Sequence, residues 1–351
     1  MRLVEKIGVG LIGCGQISPR HFDAIRQIPE FELMAVSDID AGAAKKAGTE
    51  QGVPFYTNNN ELLSRSDITL VSICTPISTH TNLAIDALNA GKDVLTEKPV
   101  GITLESIDRL SAVALKSGRK VFVVHQVRYN PSVYALKNAI DSGMLGKVLA
   151  CNLVVRWFRP AKYFEDKWYG IKEIAGGTML NQGIHYIDIM QWLIGEAKEV
   201  MGFTGHLRYP KVEVEDYAAG TIFFKNGCVG QMEINILTYD KNFECSFTVM
   251  GEKGTIKLGG KALQTIDYWC VQGHEKLTMP LGLAPNIYAK GLYEGSVPNH
   301  VDVYKDILRE YQNNGKMEMT AQEARKSVEI ALGIYASSEK GGLKMKLGAK
   351  R

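Results

Sequence analysis

Gly8-Val9-Gly10-Leu11-Ile12-Gly13-Cys14-Gly15-Gln16-Ile17-Ser18-Pro19 reads in two registers, and the choice between them sets the fold of the amino-terminal part. The literal GxGxxG, Gly8 to Gly13, lies inside an apolar run that begins at Lys6, so its first glycines belong to a strand. The second register starts where that strand ends. There Gly13 makes the tight turn, Gly15 lets the backbone approach a pyrophosphate, and Ser18 takes the third position. Ser18 stands where Gly or Ala is usual, and is expected to cap the next helix, with Pro19 in its first turn. The amino end of such a helix offers unpaired N–H groups and a favourable dipole to an anion.

Around this loop, short apolar runs alternate with helical periodicity. Candidate strands are Lys6–Ile12, Phe31–Ser37, Leu70–Cys74, Asp93–Thr96 and Lys120–Val124, and between them lie patterns such as Ile107, Leu110, Ala114 and Leu115. Strands rich in Val and Ile, without polar alternation and separated by helices, imply a parallel sheet covered on both faces, the doubly wound α/β pattern. Asp38 ends the second strand, 23 residues beyond Gly15. A carboxylate there accepts hydrogen bonds from the adenosine ribose and repels a 2′-phosphate. Ile39 follows, with no Arg to receive that phosphate, which favours NAD over NADP. Gly13, Cys14, Gly15, Gln16, Ile17 and Asp38 form the expected cofactor-binding loop set.

Composition bounds the rest. The chain has 351 residues, 45% hydrophobic and 23% charged, which fits about two globular domains at ~150 residues each. Lys plus Arg is 41 against 38 for Asp plus Glu, a formal charge of only +3. No basic footprint for nucleic acid and no like-charge run for a membrane surface is present. Glycine is in excess, 35 residues where about 7% is average. The six cysteines form no CxxC pair and read as small side chains in a reducing compartment. Leu11-Ile12-Gly13-Cys14 imitates a lipoprotein cleavage site, but the apolar stretch before Cys14 is shorter than the ~7–15 residues of a signal core. A soluble, cytoplasmic chain is expected.

After about Gln126 the texture changes. From Val148 to Leu258 the segments are longer and partly alternating, with Asn226-Gly227 between Tyr217–Phe224 and Val229–Leu237 as a hairpin signal. Glu252-Lys253-Gly254 and Gly259-Gly260 mark further reversals. The expectation is a dinucleotide-binding domain over 1–125 and an α+β domain over 126–351 with a mostly antiparallel sheet. Thr320 and Glu323 form a capping-box pattern ahead of a helical tail.

Two stretches suggest chemistry. Glu97-Lys98-Pro99 follows the strand Asp93–Thr96, at the carboxyl edge where doubly wound sheets bind ligands. A lysine on a loop is more often a solvated charge, and its place at this edge is what singles Lys98 out. The second stretch runs from Gly176-Gly177 to Gly195. Read as a helix from about residue 178, it aligns Asn181, His185, Asp188 and Trp192 on one narrow face of an otherwise apolar element. Such a stripe must find partners or face a cavity. A core histidine satisfied by Asp188 or a backbone group is the plainer alternative. No HExxH or carboxylate cluster accompanies it, so no metal is expected. Oxidising an alcohol with NAD requires a base for the proton. Lys98 and His185 are suited to share it, with Asn181 orienting the substrate.

These residues carry a resemblance. The Gly13–Ser18 loop, Glu97-Lys98-Pro99 and the helix with His185 and Asp188 resemble those of the Gfo/Idh/MocA oxidoreductase family, over nearly the whole chain. The resemblance implies an amino-terminal Rossmann domain that binds NAD(P). It also implies a carboxyl-terminal α/β domain with a large open sheet used in oligomer contacts, as a homodimer or homotetramer. It makes Lys98 and His185 the catalytic pair, and places Thr75, Pro76, His80, Glu97, Lys98 and Gln126 with the cofactor.

Polyol dehydrogenases of the family carry Asp where this chain has Asn181, which argues against a simple polyol substrate. Asn181 in Met179-Leu180-Asn181-Gln182 is similar to the UDP-N-acetyl-2-amino-2-deoxyglucuronate 3-dehydrogenases of bacterial O-antigen (lipopolysaccharide) synthesis. So are Trp157-Phe158-Arg159-Pro160 through Tyr163 and Trp168, Leu237-Thr238-Tyr239, and Met250 to Thr255. That implies oxidation of the C3 hydroxyl of a UDP-linked N-acetylated sugar, with 2-oxoglutarate as a recycling partner for the cofactor. Lys98, Arg128, Arg159, Tyr163, Asn181 and His185 are the expected substrate contacts, and Arg156 is a further cation, all three arginines also being readable as a solvated sheet face. The alternatives are another polyol or sugar dehydrogenase of inositol or glucose type, an NAD-dependent glycoside hydrolase, and a non-catalytic NAD sensor.

Overall fold

The computed structural model describes residues 6–165, 168–274, 289–290, 293–313, 315 and 317–348. The chain divides into two units, 1–125 with 300–325, and 126–299 with 326–351. A single cut at residue 125 therefore leaves out a returning segment. His300–Arg325 joins the first unit, where Phe122 bridges to Thr320 and Lys120 Nζ meets Glu310 Oε1 at 2.8 Å.

The first unit holds strands β1 (Ile7–Ile12), β2 (Phe31–Ser37), β3 (Phe55–Tyr56), β4 (Leu70–Ile73), β5 (Asp93–Thr96) and β6 (Val121–Val123). All are parallel in the order β3-β2-β1-β4-β5-β6. This is the doubly wound order, whose switch point lies between β1 and β4. The expected strands agree with these to within a residue or so. Phe55–Tyr56 is too short to show a period and was not among them. Val9, Leu11, Val36, Leu70, Val71, Ile73, Val94 and Leu95 are wholly buried, as a sheet covered on both faces requires.

Gly8 and Gly10 are packing residues of β1. A Cβ on Gly8 would lie 1.8 Å from the Asp67 carbonyl oxygen, and one on Gly10 would lie 2.7 Å from Leu62 Cδ2. The second register of the glycine stretch is the one the fold uses.

The second unit is built on β7 (Val148–Arg156), β8 (Ala197–Gly205), β9 (Tyr217–Phe224), β10 (Val229–Asn235), β11 (Glu244–Gly251), β12 (Gly254–Gly259) and β13 (Thr265–Val271). A small hairpin, β14 (Ala289–Lys290) with β15 (Tyr293–Glu294), stands apart, and β16 (Met345–Lys346) closes one edge of the main sheet. The eight-stranded order is β13-β12-β11-β7-β10-β9-β8-β16, antiparallel except between β7 and β10. The turn at Asn226-Gly227 joins β9 to β10, with Gly227 at φ 88°.

The helix Ile184–Ile194 packs on one face of this sheet. A Cβ added to Gly183 would strike Ile234 at 2.7 Å, and Gly230 lies under Met190. The opposite face carries exposed Met201, Phe203, Val229, Met250 and Tyr268. No helix among the described residues is long and apolar enough to cross a membrane.

Candidate functional site

In the first unit the candidate site is assembled from the loops that leave β1, β2, β4 and β5. Gly13 has φ 95°, and a Cβ there would sit 2.7 Å from the Cys74 carbonyl carbon at the end of β4. Both the left-handed backbone and the close approach demand glycine. Gly15 is different: a Cβ there would meet nothing within 4 Å, so its bare backbone faces open space. A diphosphate can approach a backbone left bare in this way, and a side chain would fill the space.

The Cys14 N–H donates to Asp38 Oδ2 at 2.7 Å, and Asp38 Oδ1 accepts from Asp40 N–H at 2.9 Å. Burial, reinforced by the Asp38 charge, pushes the Cys14 thiol up to about 12, so it is no nucleophile. The helix begins at Ser18 with Pro19 in its first turn. The expected cap is corrected: the Ser18 hydroxyl donates to the Gly15 carbonyl at 2.9 Å, and no side chain caps this helix. Ser18 thus braces the turn.

Thr75 and Pro76 follow β4. Thr75 Oγ1 meets Thr79 Oγ1 at 2.7 Å, and the Thr79 hydroxyl donates to the Pro76 carbonyl at 2.7 Å. His80 was expected beside the cofactor. It is buried, with Nδ1 2.8 Å from the Pro99 carbonyl oxygen and Nε2 2.9 Å from that of Thr75. Its ring links two loops. Burial lowers its pKa against the pull of those two carbonyls.

Glu97 is also turned inward. Its Oε1 accepts from His21 Nε2 and from His300 Nε2, each at 3.1 Å, and its Oε2 accepts the Lys98 N–H at 3.2 Å. Burial opposes its charge, yet the hydrogen bonds from the two histidines hold it well below the ordinary carboxylate range. His21 is raised to about 9: burial disfavours the charged ring, and interactions with Cys74 and Glu97 outweigh it. Lys98 itself is half-buried at the carboxyl edge of β5. His21, Glu97 and His300 place potential metal-ligand atoms within 4.8 Å of one another, a grouping no local spacing in the sequence announces.

In the second unit, Thr178 opens the helical stretch, which begins with a π-turn, Met179–Gly183, before the α-helix Ile184–Ile194. A π-turn takes more residues per turn than an α-helix, so the aligned face expected from an ideal helix is broken between Asn181 and His185. Asn181 is half-buried, its Nδ2 3.4 Å from Tyr163 Oη, which also accepts from Gln182 Nε2 at 2.9 Å. His185 is buried.

Asp188 lies against the Arg128 guanidinium. It accepts both Arg128 Nε and Nη2 at 2.7 Å in a buried bidentate pair. The Arg128 guanidinium also stacks 4.7 Å from the Trp192 ring centroid. The charge of Arg128, expected to meet a substrate anion, is matched by Asp188 on the helix. Arg156 likewise pairs with Glu233 through two bonds of 2.9 Å and with Glu244.

Arg159 is buried beside the Trp157 and Tyr163 rings, with Nη1 donating to the Phe158 carbonyl at 2.6 Å. Gln126 opens a short 3₁₀ turn of this unit, its carbonyl accepting from Asn299 at 3.2 Å. A residue the sequence did not flag, Glu215, holds the start of the π-turn. Its Oε1 accepts the Met179 N–H at 2.8 Å and the Tyr335 hydroxyl at 2.6 Å, and its carbonyl accepts from Thr178 Oγ1. Burial pushes Glu215 up to about 7.

A family model described as "Oxidoreductase family, NAD-binding Rossmann fold" matches residues 7–125, and one described as "GFO/IDH/MocA C-terminal domain" matches residues 133–257. The chain is 30% identical to Oxidoreductase P35 of Formosa agariphila over 72% of its own length and 79% of that protein. It is 28% identical to an inositol 2-dehydrogenase of Rubrobacter xylanophilus over 72% of each. Among solved structures it is similar to the WlbA dehydrogenase of Bordetella pertussis in complex with NADH and UDP-GlcNAcA. There the identity is 29%, the coverage 98% of this chain and 100% of that one, and the TM-score 0.87. For the WlbA dehydrogenase of Chromobacterium violaceum, with the same two ligands, the values are 31%, 99%, 97% and 0.89.

Proposed function

The chain belongs to the Gfo/Idh/MocA oxidoreductase family and is an NAD-dependent dehydrogenase, and from that premise we propose that it oxidises the C3 hydroxyl of a UDP-linked N-acetylated hexuronic acid to the 3-keto sugar. The observation that carries the choice of substrate is the neutral amide of Asn181 in the π-turn before His185, where polyol dehydrogenases of the family carry a carboxylate. The likeness to dehydrogenases crystallised with UDP-GlcNAcA, which runs along nearly the whole chain, supports it.

The residues present suit NAD. Gly13 makes the turn, Gly15 leaves room for the diphosphate, the helix from Ser18 offers its amino end, and Asp38 offers a carboxylate to the ribose. When bound, the nicotinamide supplies the hydride acceptor. The chain's own task is the proton. Lys98 and His185 are assigned to take it from the hydroxyl, and Asn181 to orient the sugar by hydrogen bonds from a side chain held at Tyr163. Arg159 is the arginine retained as a substrate contact, together with Tyr163. The keto product suits a following aminotransferase, as in O-antigen synthesis, and 2-oxoglutarate would return the reduced cofactor to NAD. The exposed apolar face of the eight-stranded sheet suits a second copy of this chain, as a dimer or tetramer.

Turnover with UDP-GlcNAcA, UDP-GlcNAc, myo-inositol and glucose, followed by NADH absorbance and detection of the keto sugar, tests the reading. NADH formation with inositol or glucose alone would overturn it. Lys98→Ala should abolish turnover while NAD still binds. Concurrent loss of NAD binding would make Lys98 a structural residue.

A further inference from the structure

Three buried imidazoles converge on the two neighbours of Lys98, all within the first unit. On one side, His21 and His300 donate from Nε2 to the same oxygen of Glu97, each at 3.1 Å. On the other, His80 Nδ1 lies 2.8 Å from the Pro99 carbonyl oxygen. We propose that His21, His80 and His300 are positioning residues for Lys98, fixing it by holding the residues before and after it.

The His21 ring is itself held at its other nitrogen. His21 Nδ1 is 2.9 Å from Ser72 Oγ and 3.1 Å from Tyr304 Oη, so the ring is bracketed from β4 and from the helix His300–Tyr311. His80 Nε2 lies 2.9 Å from the Thr75 carbonyl oxygen, and since both carbonyls only accept, the neutral ring donates to one of the two at a time. All three rings are buried. Hydrogen bonds from ring N–H groups to a buried carboxylate are charge-assisted and strengthened by the low local dielectric. Glu97 Oε2 in turn accepts the Lys98 N–H. Proton transfer needs the lysine amine within about 3 Å of the reacting hydroxyl, and the backbone from which the side chain springs sets where that amine can reach. Holding the backbone on both sides is the means available to a residue whose own side chain must stay reactive.

The proposal rests on Lys98 taking the substrate proton, so the test includes a readout that needs no substrate. His300→Met and His300→Gln have nearly the same shape, and Gln keeps an N–H where Nε2 lies. In the NAD-loaded protein, acetylation of Lys98 relative to exposed Lys46 is followed by peptide mass spectrometry. In His300→Met, Lys98 should move toward the rate of Lys46 by about threefold or more, and His300→Gln should restore it. With UDP-GlcNAcA, kcat should fall about tenfold in His300→Met and recover in His300→Gln, with the KM for NAD little changed.

Equal Lys98 labelling in Met, Gln and unaltered protein would overturn the proposal, as would equal loss in both variants. If His300→Met does not fold, Glu97→Gln takes its place and should shift Lys98 labelling in the same direction; unaltered labelling overturns the proposal. A stoichiometric transition metal in the purified protein would also overturn it, since the two Nε2 atoms would then face an ion. Failure of UDP-GlcNAcA to react with unaltered protein would count against the proposed substrate alone.

Discussion

The backbone N–H of Cys14 donates to Asp38 Oδ2 at 2.7 Å, so the carboxylate that ends β2 also holds the glycine loop that ends β1. One side chain therefore holds the loop proposed to cradle the diphosphate and is also the carboxylate proposed to meet the ribose. Asp38→Ala should weaken NAD binding through both effects. Asp38→Ser combined with Ile39→Arg, at a position 89% exposed, should shift the kcat/KM ratio toward NADP by about a hundredfold. An unchanged ratio would count against Asp38 as the ribose partner.

Gly13 and Gly15 should behave differently when replaced by alanine. Gly13→Ala forces a Cβ onto the Cys74 carbonyl from a left-handed backbone, and should cost about 2–4 kcal/mol of stability. Gly15→Ala meets no protein atom, so its Tm should stay near that of the unaltered protein while NAD affinity drops about tenfold or more. Thermal shift with and without NAD separates the two. A Gly15→Ala protein that binds NAD normally would remove that glycine from the cradle.

Arg128→Met leaves Asp188 buried without its bidentate partner. It should destabilise the protein by about 3–5 kcal/mol, and Arg128→Met with Asp188→Leu should regain much of that. Denaturant unfolding of the single and double variants decides the point. If Arg128→Met is as stable as the unaltered protein but raises the KM for the sugar, Arg128 binds substrate.

Glu215 gives a pH signature. Its pKa rises on folding from 4.5 to about 7 because it is buried. Below pH 4.5 it is protonated in both states and costs nothing. From there to about pH 7 the unfolded chain ionises first, so the folded state loses about 3 kcal/mol. Stability should therefore fall as pH rises through this window and level off above it. Glu215→Gln keeps acceptors for Met179 and Tyr335 without the titration, and should flatten the profile between pH 4.5 and 7. Parallel curves for the two proteins would refute the assignment.

Local pattern was enough for the alternating strands and helices of the first unit, the register of its glycine turn, the acid at the end of β2, and the hairpin at Asn226-Gly227. These features follow from neighbours within a few residues: apolar period, turn chemistry, and the steric needs of one backbone position. The same local reasoning singles out Lys98, Asn181 and His185 as candidates.

Partnerships came from the folded chain. Arg128 with Asp188, and Glu97 with His21 and His300, join residues 60, 76 and 203 positions apart, and no local period encodes such a choice. The π-turn, too, was hidden behind an ordinary helical pattern. Hydrogen-bond partners in a core are fixed by which buried polar groups packing brings within 3 Å, because an unpaired one is costly there. The near-neutral charge and the excess of glycine are properties of the sequence. Which cations stay available for an anion, and which glycines have no room for a side chain, are consequences of three-dimensional packing.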